Sequence, residues 1–134
     1  MSETLALALE PGSFEVLRLG PGAEVPGWFG RATEGGFRAL LESADELTLV
    51  LSEGRAPADW AGPRQGGYRA LRVEGVLDFA LVGILADLSG CLARAGIAIL
   101  AFSTYDTDWL LVPGERLEGA VAALEGAGHR VSGH

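Results

Sequence analysis

Residues 97–112, IAILAFSTYDTDWLLV, decide the fold. The first six are apolar throughout and lie between Gly96 and Ser103, a pattern that favours a central strand buried on both faces. The last four predict another short apolar strand, which Pro113 closes. Residues 103–108 are polar apart from one tyrosine and must reverse the chain. A reversal needs only a few turn-forming residues, so the other polar side chains call for a separate explanation.

Regular elements are predicted on both sides of this hairpin. Residues 68–73, YRALRV, alternate between two faces and predict a half-buried strand. Apolar residues in 85–95 recur at steps of three and four, which predicts a helix that Gly96 ends. Residues 117–124 repeat that spacing in a second helix, and residues 129–131 suit a last short strand. The order strand, helix, strand, strand, helix, strand predicts an α+β fold, with a ferredoxin-like antiparallel sheet and both helices on one face.

The first half of the chain is less regular. Residues 4–9 and 14–19 are strand-like on either side of a Pro-Gly turn, and residues 21–30 suit a short helix or an ordered loop. Residues 37–42 and 47–52 flank a plausible hairpin turn. Pro and Gly are frequent in residues 55–67, which favours a boundary there. We therefore predict an irregular N-terminal half, 1–62, and a C-terminal domain, 63–134.

Charge and composition narrow the class of function. A net charge of −8 without a basic cluster disfavours nucleic acid and membrane surfaces as partners. The N-terminus has no basic region before its short apolar run, so a cytoplasmic location is expected. The single cysteine and two histidines, His129 and His134, which look incidental, leave no material for a Cys/His metal site. No phosphate-loop or dinucleotide motif occurs, and no cofactor or metal is expected.

Residues 82–112 resemble the ACT domain, a βαββαβ module that binds amino acids and regulates metabolic enzymes, in the variant of CASTOR-type arginine sensors and small bacterial relatives. The similarity extends over residues 68–131 and more weakly into the first half. The resemblance implies a tandem of two ACT-like units. The matching features are Gly83-Ile84-Leu85-Ala86 at the first helix start, Ala95-Gly96-Ile97 at its end, and Ser103-Thr104-Tyr105-Asp106-Thr107-Asp108 between the middle strands.

The resemblance implies a ligand site, because ACT domains commonly bind their ligand where the first helix starts beside a sheet edge. Unpaired N–H groups at a helix start suit a carboxylate, and a glycine allows close approach of the ligand to the backbone. The ammonium group of an amino acid then needs an acidic partner. The candidate ligand-binding residues are Gly83, Ile84, Leu85, Ser103, Thr104, Asp106, Asp108 and Asp78.

Two of these assignments have alternatives. Asp78 also suits a helix cap before Phe79, and the polar run also suits ordinary turn chemistry. The family's usual Asp-x-x-Pro-Gly helix start is altered here, because Val82 stands in the proline position. By the resemblance, we predict a homodimeric, allosteric regulatory protein that binds a small molecule, an amino acid, and has no catalytic activity. The alternative is a protein-interaction or dimerisation module with a vestigial pocket.

Overall fold

The computed structural model describes residues 4–32, 36–75 and 82–134, and the chain divides into two compact units. The helical unit comprises residues 1–10 and 69–134, and the strand unit comprises residues 11–68. Residues 4–10 therefore belong with the C-terminal part of the chain. The domain boundary between residues 62 and 63 stays a prediction.

The described residues form eight strands and two α-helices. Two short 3-10 helices, Gly27–Phe29 and Gly114–Arg116, accompany them. The elements are β1 (Ala6–Leu9), β2 (Phe14–Leu19), β3 (Ala39–Glu42), β4 (Leu47–Ser52), β5 (Arg64–Val73), α1 (Ile84–Arg94), β6 (Leu100–Ser103), β7 (Asp108–Pro113), α2 (Leu117–Gly126) and β8 (Arg130–Ser132). The order from β5 to β8 confirms the predicted strand, helix, strand, strand, helix, strand.

The sheet of the helical unit has the strand order β8-β1-β5-β7-β6. Strand β1 lies between the first and last strands of the predicted module, antiparallel to β5 and parallel to β8. Leu7 of β1 pairs with Val73 on one side and Val131 on the other, and all three side chains are buried. The N-terminal strand therefore completes the core of this unit.

Both helices of the unit cover one apolar core. Leu88, Cys91 and Leu92 point inward from α1, and Ala120, Val121 and Leu124 do so from α2. The sheet contributes Leu7, Leu71, Val73, Leu110, Val112 and Val131. The buried Cys91 thiol lies 3.2 Å from the carbonyl oxygen of Ala123, so it joins the two helices as a small core residue.

Helix α1 ends as its sequence predicts, but the strand after it is shorter. Gly96 adopts a positive φ of 74°, and the N–H of Ile97 donates to the carbonyl oxygen of Leu92 at 3.0 Å. Ile97 is buried in the core beside the helix end, so β6 begins only at Leu100. Ala101 is exposed, and β6 pairs with β7 alone among the described strands. The prediction of a central strand buried on both faces was wrong. The first three residues of the apolar run connect α1 to β6, and the last three belong to a strand that pairs on one side among the described strands.

The strand unit is an antiparallel sheet in the order β3-β4-β2-β5, to which β5 contributes residues 64–68. Its core contains Leu17, Phe29, Leu47, Leu49, Leu51 and Ala56. The predicted hairpin between β3 and β4 is confirmed, and the Asp45 N–H donates to the Ser43 hydroxyl in its turn. The short helix predicted within residues 21–30 is the 3-10 turn Gly27–Phe29. Within the described ranges, neither α-helix of the chain is long and apolar enough to cross a bilayer.

Candidate ligand-binding site

The hairpin between β6 and β7 uses two threonines to close its turn. The N–H and hydroxyl groups of Thr104 both donate to the carbonyl oxygen of Thr107, at 2.8 and 3.1 Å. The Thr107 N–H returns a bond of 3.2 Å to the Thr104 hydroxyl oxygen. Thr104 is therefore occupied by turn chemistry, the alternative that its sequence position left open.

Two other polar residues of the run bind each other across the strand pair. Ser103 and Asp108 are directly opposite in the register, and the Ser103 hydroxyl donates to Asp108 Oδ1 at 2.6 Å. The second carboxylate oxygen of Asp108 has no partner among the described residues. Asp106 is exposed at the tip of the hairpin, and no described residue hydrogen-bonds its carboxylate. Of the four polar candidates, Asp106 has the most capacity left for a ligand.

Thr107 ties this hairpin to the strand that leads towards α1. Its side chain is buried, and its hydroxyl donates to the carbonyl oxygen of Val73 at 2.7 Å. Val73 is the last residue of β5. This role of Thr107 could not be predicted from the sequence, because a polar run does not reveal which of its members points inward. Four residues separate Thr107 from the buried Val112, and this spacing carries no signal without the strand register.

The start of α1 offers open backbone. Gly83 precedes the helix with a φ of 83°, and a side chain there would meet no atom of the described residues within 4 Å. No side chain caps the first N–H groups of the helix within the described residues, and the only bond to Gly83 is from the Asp87 N–H to its carbonyl oxygen, at 2.8 Å. Ile84 and Leu85 pack their side chains against the core. Their contribution to a ligand would therefore come from the backbone.

The structure brings some predicted residues together and leaves others apart. Ser103 and Asp108 are bonded, whereas no hydrogen bond within the described ranges joins the hairpin side chains to residues 83–85. Asp78 lies outside the described residues, so both of its interpretations stay predictions. Val82, in place of the family's proline, is 90% exposed. In the part of the chain that the structure describes, no three His, Cys, Asp or Glu side chains are grouped to hold a metal ion.

His129 also acts near the start of α1, although its sequence position looked incidental. Its side chain is only 2% exposed, its Nδ1 accepts the N–H of Leu5 at 3.1 Å, and its Nε2 lies 3.5 Å from Asp87 Oδ2. Because Nδ1 accepts a hydrogen bond, the proton of the neutral ring is on Nε2 and points to Asp87. The first turn of α1 is thereby connected to the residues that immediately precede β1 and β8.

The helical unit thus combines an α+β fold with an open, glycine-led helix start. Residues 64–126 match the family model of the ACT domain, which confirms the resemblance seen in the sequence. The matched region runs from the start of β5 to the end of α2. Among curated proteins, none matches the sequence.

Solved structures share the fold over almost the whole chain. A structural-genomics protein from Agobacterium tumefaciens is 28% identical, with a TM-score of 0.87, covering 99% of this chain and 97% of that one. A protein of unknown function from Vibrio cholerae, described as a possible transport protein, is 20% identical, with a TM-score of 0.72 and coverage of 92% and 89%. The ligand-free regulatory subunit of aspartate kinase from Thermus thermophilus is 15% identical, with a TM-score of 0.62 and coverage of 94% and 99%.

Proposed function

We propose that this chain is a regulatory protein that binds an amino acid and catalyses no reaction. The observation that carries the proposal is the start of α1, which Gly83 precedes and no described side chain caps, within the region that matches the ACT domain. The similarity to a regulatory subunit of aspartate kinase supports a regulatory role. A cytoplasmic location and a homodimer belong to the same proposal.

The ligand's carboxylate would bind the backbone N–H groups at the α1 start. These groups point along the helix axis, carry the positive end of the helix dipole and lack intrahelical acceptors. The left-handed Gly83 leaves the space beside them free of a side chain. Ile84 and Leu85 hold the helix start in place through their contacts with the core.

The ligand's ammonium group would bind an acidic side chain of the β6–β7 hairpin. Asp106 is the first candidate because its carboxylate is exposed and has no described partner. Asp108 is the second, with Ser103 fixing one of its oxygens. Thr104 and Thr107 set the shape of the turn, and the bond from Thr107 to Val73 fixes that turn against β5. Binding would regulate by favouring one arrangement of two chains over another.

Isothermal titration against the twenty amino acids tests this proposal. We expect one of them to bind, and Asp106→Ala or Asp108→Ala to weaken it by about 1.5–3 kcal/mol, the range of a hydrogen bond to a charged group. Asp59→Ala removes an exposed carboxylate from the strand unit and serves as the matched control. No heat with any amino acid at millimolar concentration would contradict the proposal. Unchanged affinity in both hairpin variants would mean that the ligand binds elsewhere on the protein.

A protein-interaction module is the second candidate, and two exposed side chains favour it. Val82 is 90% exposed beside the α1 start, and Tyr105 is 81% exposed in the hairpin. Large exposed apolar and aromatic side chains are common at protein interfaces. Sedimentation with and without the amino acid separates the two functions. A constant oligomer that binds no amino acid favours the interaction module.

A further inference from the structure

A groove of about 620 Å³ lies on the helical unit, away from the candidate site. One wall is the side of α2, and the other is made by the end of β1, the part of β5 that begins at Arg69, and the residues after β8. Its volume is within the usual range for small-molecule sites. Leu9, Leu117 and Val121 give it an apolar surface.

Arg69 is an unusual residue for its position on β5. Side chains two apart on a strand share a face, so Arg69 continues the row of Leu71 and Val73, which pack in the core beneath the helices. Its Nε atom is buried, with no hydrogen-bond partner among the described residues. A buried donor without an acceptor has lost the hydrogen bonds that water would give it. The guanidinium group is therefore poised to gain a partner from a ligand.

Apart from Arg69, the titratable side chains that line the groove are two glutamates and one histidine. Glu118 and Glu125 line it from α2, together with His134. His134 Nε2 lies 3.7 Å from Glu125 Oε2, and both side chains are nearly half exposed. Glu118 is exposed and has no described ion-pair partner. A simple anion would meet Arg69 but would be repelled by these carboxylates, whereas a zwitterion would satisfy both signs.

The geometry points to a second ligand site in this groove, for an amino acid with an apolar side chain. The carboxylate binds the terminal N–H groups of the Arg69 guanidinium, a bidentate arrangement that planar arginine favours. The ammonium group binds Glu118 or Glu125, and the side chain covers Leu117 and Val121. This site shares no residue with the α1 start or the hairpin, so either can bind without the other.

The test uses L-leucine as the probe, followed by titration calorimetry and by backbone amide NMR. We expect leucine to bind at millimolar concentration or below and to shift the amides of α2 and of residues 69–71. Isocaproate lacks the ammonium group and isoamylamine lacks the carboxylate. Each is expected to bind at least about tenfold more weakly than leucine, the loss of one charge-assisted contact. No binding of leucine, or equal binding of isocaproate, would overturn the proposal.

Two variants locate the site. Arg69→Gln removes the carboxylate partner, and Ala122→Phe fills the groove from an exposed position on α2 without touching the core. Both are expected to weaken leucine binding about tenfold or more. Arg130→Gln removes an exposed arginine of β8 outside the groove and is expected to leave binding unchanged. If Arg69→Gln does not fold, the leucine affinity of Ala122→Phe alone shows whether leucine binds in the groove.

Asp106→Ala distinguishes this groove from the hairpin site. Leucine bound in the groove still shifts the α2 amides in this variant. If Asp106→Ala abolishes leucine binding while Arg69→Gln and Ala122→Phe leave it intact, the groove proposal is wrong and the hairpin site is supported. If the reverse pattern is found, the groove is the leucine site and the hairpin proposal fails for leucine.

Discussion

The hydroxyl of Thr107 donates a 2.7 Å hydrogen bond to the carbonyl oxygen of Val73, and the Thr107 side chain is buried. Val73 ends β5, and Thr107 immediately precedes β7. This bond holds the hairpin turn against the strand from which the chain continues to α1. The position of Asp106 and Asp108 relative to β5 therefore depends on Thr107, the residue between them.

Thr107→Val is expected to destabilise the protein by about 1–3 kcal/mol. Valine has nearly the same shape but no hydroxyl, so the Val73 carbonyl oxygen loses its donor at a buried position. Urea unfolding followed by circular dichroism measures the free energy of unfolding. Ser89→Ala is the control, because that hydroxyl is exposed and makes only a 3.3 Å bond within α1. Equal stability of Thr107→Val and the natural protein would show that the buried bond contributes nothing.

Gly83→Ala and Gly119→Ala are expected to change stability in opposite directions. Gly83 has a φ of 83°, and a Cβ there would meet no described atom within 4 Å, so alanine would cost about 1–2 kcal/mol through backbone strain alone. Gly119 lies inside α2, where a Cβ would meet Ile97 Cδ1 at an ordinary 3.6 Å. Alanine there should stabilise by about 0.5–1 kcal/mol through helix propensity.

Thermal unfolding of the two glycine variants, with the natural protein as reference, checks both signs at once. An unchanged melting temperature for Gly83→Ala would mean that the helix start accepts another backbone conformation. The site proposed at that start would then lose its rigid backbone. A lower melting temperature for Gly119→Ala would instead indicate that the contact with Ile97 is tighter than its distance implies.

The sequence predicted the helical unit well because its signals are local. The steps of three and four in residues 85–95 and 117–124 fix the two helices, and Gly96 ends the first of them. The place of β1 could not be predicted in the same way. Its pairing with β5 and β8 joins residues far apart in the chain, and the alternation of a short strand carries no information about its partners.

The arrangement of the polar run could be predicted only in part for a similar reason. The polar run 103–108 marks a hairpin, but the division of its side chains between turn closure, core and solvent depends on the strand register. Thr104 closes the turn, Thr107 points inward, and Asp106 points to solvent. The role of His129 was also hidden, because its two partners, Leu5 and Asp87, are distant in sequence.

His129→Leu is expected to destabilise the helical unit by about 1–3 kcal/mol. Leucine fills similar space but leaves the part-buried Leu5 N–H without its acceptor and removes the ring donor from Asp87. Hydrogen exchange at the Leu5 amide measures the effect locally, and urea unfolding measures it globally. His134→Leu is not a suitable control because His134 lines the groove, so Arg94→Gln on the exposed face of α1 is used. Equal protection of Leu5 in natural and variant proteins would contradict the assignment.

Glu15→Gln tests the main ion pair of the strand unit. Arg64 binds Glu15 through Nε at 3.0 Å and Nη2 at 2.9 and 3.0 Å, with the Glu15 side chain only 5% exposed and that of Arg64 30% exposed. Glutamine keeps the shape but removes the charge and offers one acceptor oxygen, so Arg64 loses part of its bidentate partner.

We expect Glu15→Gln to lower the free energy of unfolding by about 1–3 kcal/mol, less than for a fully buried pair because solvent reaches Arg64. Glu42→Gln, at an exposed position of β3, should change it by less than about 0.5 kcal/mol. Urea unfolding at low and high salt shows whether the protein shields this ion pair from dissolved ions. If it does, the loss of unfolding free energy in Glu15→Gln should persist at high salt. A deficit that disappears with salt would identify the pair as an ordinary surface contact.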